Sequence, residues 1–297
     1  MQKITNGIIK NMNKIDNNIK EALFAKELEI CKYVINYCKR HNLKISVAYG
    51  TMIGAIRHKG FIPWDHDIDL MMPRKDYEQL MTLWSNKEEM YFLQNMFTDH
   101  DYPLLFAKVR DNNSTFIEKM YSNQKNMHHG VFIDIFPYET IPKNKFSRFL
   151  LPKLNDFLMH ILCSRLKYTN KIKDTIERIV NFFLDHDYIL KLISNIRINL
   201  EKGSTNYLYQ DFSLSSHSND AQHSFSHLFD QFIEIEFEDF KIPCVLIYDD
   251  YLSKLYGDYM TPLSKDEIIA EESMLLSQII DPFKSYKYYM EDAHAKK

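Results

Sequence analysis

Apolar positions along the chain recur with periods that divide it into elements. In residues 20–41, Leu23, Leu28, Cys31, Val34, Ile35 and Cys38 recur at helical spacing with Lys and Glu between them, which predicts an amphipathic helix. Leu43–Tyr49 reads as a strand running into Gly50-Thr51, Met52–His58 as a short helix, and Lys59-Gly60 as a turn. Ile62-Pro63-Trp64 is extended, because a residue before proline is kept out of the helical region. Asp67–Met72 alternates polar and apolar residues, the period of a strand, and Pro73 ends it. Lys75–Trp84 returns to helical spacing, with Tyr77, Leu80, Met81 and Trp84 on one side. Strands are expected at Tyr91–Gln94, Leu105–Arg110 and Thr115–Glu118. The last two are joined by the turn Asp111-Asn112-Asn113-Ser114. Val131–Phe136 is a strongly apolar strand interrupted by one acid, Asp134, and closed by Pro137 and Pro142.

Beyond residue 145 the pattern is helical to about Leu200, and Ile176, Ile179, Val180, Phe183 and Leu184 suggest two or three packed helices. Ser213–Ser226 is rich in Ser, His and Asn and reads as a loop. Phe232–Phe240 alternates like a strand, and Asp249–Tyr256 is a short helix with Gly257 as its C′ residue. The sequence shows no internal repeat. The expectation is one α/β (α+β) body with a helical insertion: an N-terminal extension at 1–19, a catalytic core at 20–144, an insertion and loop at 145–230 facing the acceptor, and a C-terminal part at 231–297 packed on the core.

Composition narrows the class. Hydrophobic residues make up 45% of the 297, enough for a buried core, and the formal charge of −3 carries no general basic character for nucleic acid. The N-terminal stretch lacks the continuous apolar run of a signal peptide, and no segment reaches the ~20 apolar residues that span a bilayer. The expected place is the cytoplasm, with peripheral contact at the inner face of the membrane left open for the 145–200 helices. None of the four cysteines, Cys31, Cys38, Cys163 and Cys244, forms a C-x-x-C pair, so buried thiols are expected rather than a zinc site or a disulfide framework. Of the seven glycines, Gly50, Gly54 and Gly60 lie close together, concentrating backbone freedom there.

The densest chemistry is in that same stretch. Asp67 and Asp69, two apart on a strand, project their carboxylates from one face. Such close like charges call for a cation between them. All-oxygen ligands suit Mg²⁺, with Mn²⁺ a related choice. Asp65 shares the parity but lies nearer the turn, and His66 points the other way. Gly50 and Thr51 offer backbone N–H groups and a hydroxyl to a phosphate. Asp134, buried in an apolar strand, requires a partner, either the same metal or a nearby Arg or Lys. Arg57, His58, Lys59, Arg74, Lys108 and Arg110 form a set of cations suited to phosphate oxygens.

These residues match a family. Tyr49-Gly50-Thr51-Met52-Ile53-Gly54-Ala55-Ile56-Arg57-His58-Lys59-Gly60-Phe61-Ile62-Pro63-Trp64-Asp65-His66-Asp67-Ile68-Asp69 closely resembles the LicD family of bacterial phosphocholine transferases, which are related to fukutin-type phosphotransferases and have the nucleotidyltransferase fold. Gly130–Pro137, Phe237–Phe240, Ile242-Pro243, Tyr251-Leu252 and Leu255–Met260 look like later blocks of that family, while residues 145–230 match loosely and His66 stands where an Asp is common. The resemblance implies that a CDP-alcohol, CDP-choline first, donates its phospho-alcohol to a hydroxyl of a glycan acceptor. That acceptor would be a lipid-linked teichoic acid, capsule or lipopolysaccharide precursor, and CMP would leave. Asp67 and Asp69 would bind Mg²⁺, and Asp134 would complete the site or deprotonate the acceptor hydroxyl. Gly50 and Thr51 would contact the diphosphate, with Arg57, Lys59, Lys108 and Arg110 on phosphate oxygens. Trp64 lies beside the site, and a quaternary ammonium is held by aromatic faces.

Two other readings stay open at this point: a nucleotidyltransferase that releases pyrophosphate, and a non-catalytic nucleotide- or glycan-binding protein. His217, His223 and His227 are too irregularly spaced for zinc. His128-His129 could approach the cleft or serve the structure, and Tyr256-Gly257-Asp258-Tyr259 reads as a helix end that could also wall the cleft.

Overall fold

A computed structural model describes residues 16–86, 90–142, 185–202, 204–211 and 225–292, with scattered positions between 144 and 161. The chain opens with α1 (Asn17–Arg40), whose first turn is capped by the Asp16 carboxylate accepting from the Asn18 N–H at 2.8 Å. It continues through β1 (Ser46–Val47), α2 (Tyr49–His58), β2 (Asp69–Pro73), α3 (Arg74–Leu83), β3 (Tyr91–Gln94), β4 (Ala107–Asp111), β5 (Thr115–Ile117) and β6 (Phe132–Pro142). The later elements are α4 (His186–Lys202), β7 (Ser204–Asp211), β8 (Phe225–Ser226), β9 (Phe232–Phe237), β10 (Phe240–Val245), α5 (Tyr248–Tyr256), α6 (Lys265–Leu276), β11 (Ile279–Asp281) and α7 (Tyr286–Asp292).

Among the described residues the main sheet has seven strands in the order β1-β2-β6-β4-β3, with β7 added to β6 and β8 to β7. Only β2 and β6 run parallel; the other pairs are antiparallel. The fold is thus mixed α and β around a mixed sheet. Val47, Ile68, Leu70, Met71, Met72, Val109, Ile133 and Ile135 are fully buried at its centre, which explains the nearly continuous apolar runs of β2 and β6. Two small antiparallel ladders, β9 with β10 and β5 with β11, bring the C-terminal part onto this body.

The periodic elements fall where the sequence places them, and the differences have physical causes. The strand expected over 43–49 shrinks to Ser46–Val47 because Tyr49 takes a left-handed conformation (φ 43°) and turns the chain into α2. Gly50 and Thr51 therefore lie in the first turn of a helix, not at a strand end. Strand β2 begins at Asp69, so Asp67 precedes it and strand parity is not what aligns the two acids. β6 runs on through Pro137 to Pro142. Pro137 falls between the stretch paired with β4 and the stretch paired with β7, where the ladder on that edge is interrupted. The strand expected over 232–240 is a hairpin turning at Glu238 (φ 51°), and its second strand carries Pro243 on a two-stranded ladder. Phe225 and Ser226, expected in a loop, form β8, while 212–224 lie outside the described residues, as do Ile176–Leu184 and Cys163. Cys31, Cys38 and Cys244 are buried free thiols. No described helix is long and apolar enough to cross a membrane.

Candidate active site

Backbone pairing assembles the site. The parallel register of β2 and β6 sets Asp69 beside Asp134, and the antiparallel register of β4 and β6 sets Lys108 beside Asp134. The Asp69 backbone is held from the α2 side: its N–H donates to the Thr51 hydroxyl oxygen at 2.8 Å, and its carbonyl accepts from the Ala48 N–H at 2.9 Å. Asp67 reaches the same place from the preceding loop. Carboxylate oxygens of Asp67, Asp69 and Asp134 lie within 4.8 Å of one another. Asp65 closes over α2 so tightly that a Cβ on Gly50 would lie 2.5 Å from its Oδ2.

The electrostatics follow from this crowding. Burial, then the charges of Asp67 and Asp134, holds Asp69 well above the usual carboxylate range. Burial, then Asp67, does the same to Asp65. Burial pushes Asp134 up to about 7 although Lys108 opposes it, the Lys108 Nζ lying 2.9 and 3.1 Å from its two oxygens. Lys108 is itself buried and lies over the Phe132 ring, 3.5 Å from its centroid. One lysine against four carboxyl groups leaves the cluster short of positive charge. The all-oxygen donor set with so little compensating charge fits a hard divalent cation held by Asp67, Asp69 and Asp134.

The other residues singled out by sequence lie as follows. Arg110 is fully buried, with Nε on Gln94, Nη1 on the Gly130 carbonyl at 2.8 Å and Nη2 on Glu118 at 2.8 Å. Its guanidinium is engaged in the core, so the structure gives it a bracing place rather than one on phosphate. The cause is its register: the face of β4 that carries Lys108 and Arg110 is covered, not open. Arg74, likewise buried, pairs with Glu139 and with Glu78 at 3.0 Å. Arg57 Nη1 donates to the Tyr259 carbonyl at 2.9 Å, tying α2 to the segment after α5. Lys59 pairs with Glu236 at 2.8 Å on the exposed surface. Trp64 is half-buried and meets His58 edge-on, with ring centroids 6.2 Å apart. Glu238, from the β9–β10 turn, accepts the Phe61 N–H at 3.0 Å, and a Cβ on Gly60 would collide with its carboxylate. His128 and His129 are buried in hydrogen bonds, His128 with Asn112 at 2.7 Å and His129 with the Gln124 carbonyl at 2.7 Å. His227 pairs with Asp230 at 2.6 Å, whereas His217 and His223 lie outside the described residues.

Sequence reading missed two residues at the cluster. Tyr256, at the end of α5, is 47% exposed, yet burial and then the charges of Asp69, Asp65 and Asp67 hold its hydroxyl well above its usual pKa. Glu27 is buried in the inner stripe of α1, and Asp67 heads the charges that add to that burial in raising its carboxyl pKa. The signal was available: Glu27 is four residues after Leu23 and four before Cys31, an acid at a core position of an amphipathic helix.

Comparison with known proteins bears on this arrangement. A family model described as LicD/FKTN/FKRP, nucleotidyltransferase domain, matches residues 42–159, the stretch that supplies Asp65, Asp67, Asp69 and Asp134. Over that stretch the chain resembles a LicD-type nucleotidyltransferase domain. It is also similar to the lipopolysaccharide cholinephosphotransferase LicD of Haemophilus influenzae, with 26% identity over 257 residues, covering 82% of this chain and 93% of that protein. That similarity is longer than the stretch matched by the nucleotidyltransferase-domain model.

Proposed function

We propose that this protein is a LicD-type transferase that moves phosphocholine from CDP-choline to a hydroxyl of a cell-surface glycan, with release of CMP. The observation that carries the reading is the convergence of Asp67, Asp69 and Asp134 within 4.8 Å, from a loop and two parallel strands, inside the matched LicD domain. The similar Haemophilus protein is named for cholinephosphate transfer to lipopolysaccharide. That supports a choline donor and a glycan acceptor, with a lipid-linked teichoic acid or capsule precursor as chemically equivalent acceptors.

Asp67, Asp69 and Asp134 would hold Mg²⁺ or Mn²⁺, which supplies charge neutralisation for a diphosphate. Thr51 and Ala48 fix the Asp69 backbone, so its carboxylate is set before substrate arrives. Lys108 holds both oxygens of Asp134, orienting that carboxylate. Tyr256 offers an open aromatic ring beside the acids, a suitable neighbour for a quaternary ammonium.

The deciding experiment incubates the purified protein with Mg²⁺, extracted glycan and, in turn, CDP-choline, CDP-ethanolamine, CDP-ribitol and CDP-glycerol. CMP release with CDP-choline and phosphocholine on the glycan is expected. Preference for another CDP-alcohol would change the donor, and pyrophosphate with a nucleotidylated product would replace the reading.

A further inference from the structure

The inner stripe of α1 consists of Leu23, Ile30, Cys31, Val34, Tyr37 and Cys38, with Glu27 among them at 1% exposure. Its Oε2 is buried with no hydrogen-bond partner among the described residues. Neighbouring contacts show which way this stretch of α1 faces. Phe24, three residues earlier, stacks on Phe61 with ring centroids 4.2 Å apart and planes 4° from parallel. Lys20 donates to the Pro63 carbonyl. The same helical edge that follows the 61–63 segment therefore carries Glu27 toward Asp65 and Asp67. Another orphan lies in that loop: His66 Nδ1 is also buried with no hydrogen-bond partner among the described residues.

A buried carboxyl oxygen left without a partner near other carboxyls destabilises the fold, so it calls for a compensating ligand. Glu27 is not among the oxygens that lie within 4.8 Å of one another, so its reach to an ion shared by Asp67, Asp69 and Asp134 would be through water. Mg²⁺ keeps several of its waters when carboxylates bind it. We propose that Glu27 is an outer carboxyl of the metal site, accepting a hydrogen bond from water on the ion that Asp67, Asp69 and Asp134 hold. It is a positioning residue, and the assignment rests on the metal reading above.

The test uses the full-length protein stripped of metal, with Mn²⁺ as the probe, read by titration calorimetry and by thermal unfolding without metal. Wild type, Glu27→Gln, Glu27→Leu and Asp69→Asn are compared. Loss of an outer-shell partner weakens metal binding by about 10–100-fold, so both Glu27 variants should bind Mn²⁺ at least about tenfold more weakly. Glu27→Leu should also melt higher than wild type without metal, because a destabilising buried carboxyl is gone. A Glu27→Gln protein that binds Mn²⁺ within about twofold of wild type overturns the proposal while leaving the three-acid site intact. A metal-free Glu27→Leu protein that melts lower also overturns it, since Glu27 would then be an ordinary core residue. If wild type and Asp69→Asn bind Mn²⁺ alike, the three-acid site itself fails and the role of Glu27 goes with it.

Discussion

Lys108 and Asp134 face each other across β4 and β6, the lysine Nζ lying 2.9 and 3.1 Å from the two carboxylate oxygens in a buried pair. Asp134 thus has a lysine partner and also lies within reach of Asp67 and Asp69. The two partners are compatible: one carboxylate can take a lysine and a metal at once, because its oxygens offer about four lone-pair sites. Removing the lysine leaves Asp134 among like charges. Lys108→Met should destabilise the protein by about 3–5 kcal/mol, the usual result of breaking one side of a buried pair. It should also lower CMP release. Urea unfolding checks the first outcome, and an unchanged midpoint would show that the pair does not hold Asp134.

Two glycines separate an effect on the site from an effect on the fold. A Cβ at Gly50 would meet the end of a side chain, Asp65 Oδ2 at 2.5 Å. A Cβ at Gly130 would meet backbone, the Asp111 carbonyl oxygen at 1.9 Å. A side chain can swing away and a strand cannot. Gly50→Ala should change the melting temperature little but lower transfer by tenfold or more, roughly the penalty for misplacing a charged group at a site. Gly130→Ala should unfold readily, losing about 3 kcal/mol or more. Melting curves and CMP release on the two variants give the comparison, and equal melting losses would contradict it.

Much of this was legible in the sequence. The helical period of α1 and α3 and the apolar run of β6 follow directly from where side chains must be buried. Asp67, Asp69 and Asp134 stood out because acids are rare inside such runs. What was not legible depends on register. Lys108 and Arg110 share a face of β4, so sequence could offer both as cations for phosphate. Only the pairing with β6 shows that the face is covered, with one side chain on Asp134 and the other on Gly130. The turn at Tyr49 was also hidden, because a bulky residue with positive φ has no sequence signal. Glu27 was overlooked by counting only the apolar members of its stripe.

Thr51 joins helix to acid strand through one hydrogen bond, its hydroxyl oxygen accepting the Asp69 N–H at 2.8 Å. Thr51→Val keeps the shape and removes the acceptor, so it should destabilise by about 1 kcal/mol. Because the lost bond fixes the backbone of a proposed metal-binding acid, Mn²⁺ affinity should fall as well, and Thr51→Ser should restore both. Calorimetric titration of the three proteins tests this. Undiminished Mn²⁺ affinity in Thr51→Val would mean that the hydroxyl has no hold on the Asp69 carboxylate.

His128 supplies a pH prediction away from the acids. Burial, then the charges of Arg110 and His129, pushes its imidazole down to about 2, and burial takes His129 down to about 4. His128 is locked in the neutral form: Nδ1 accepts the Gly130 N–H at 3.1 Å, Nε2 bonds to the Asn112 side-chain oxygen, and the ring stacks on Phe92. In the unfolded chain the same group titrates near 6.5. Below that pH the unfolded state takes up a proton that the native state refuses, so stability falls as pH falls from about 6.5 toward 2. His128→Gln removes this titration. Between pH 6.5 and 5 wild type should lose stability faster than His128→Gln, by up to about 1.4 kcal/mol per pH unit. Urea midpoints across that range measure the difference, and ring resonances of His128 should keep their neutral positions down to pH 5. Parallel stability curves for the two proteins would show that the imidazole takes up its proton as readily in the fold as in the unfolded chain.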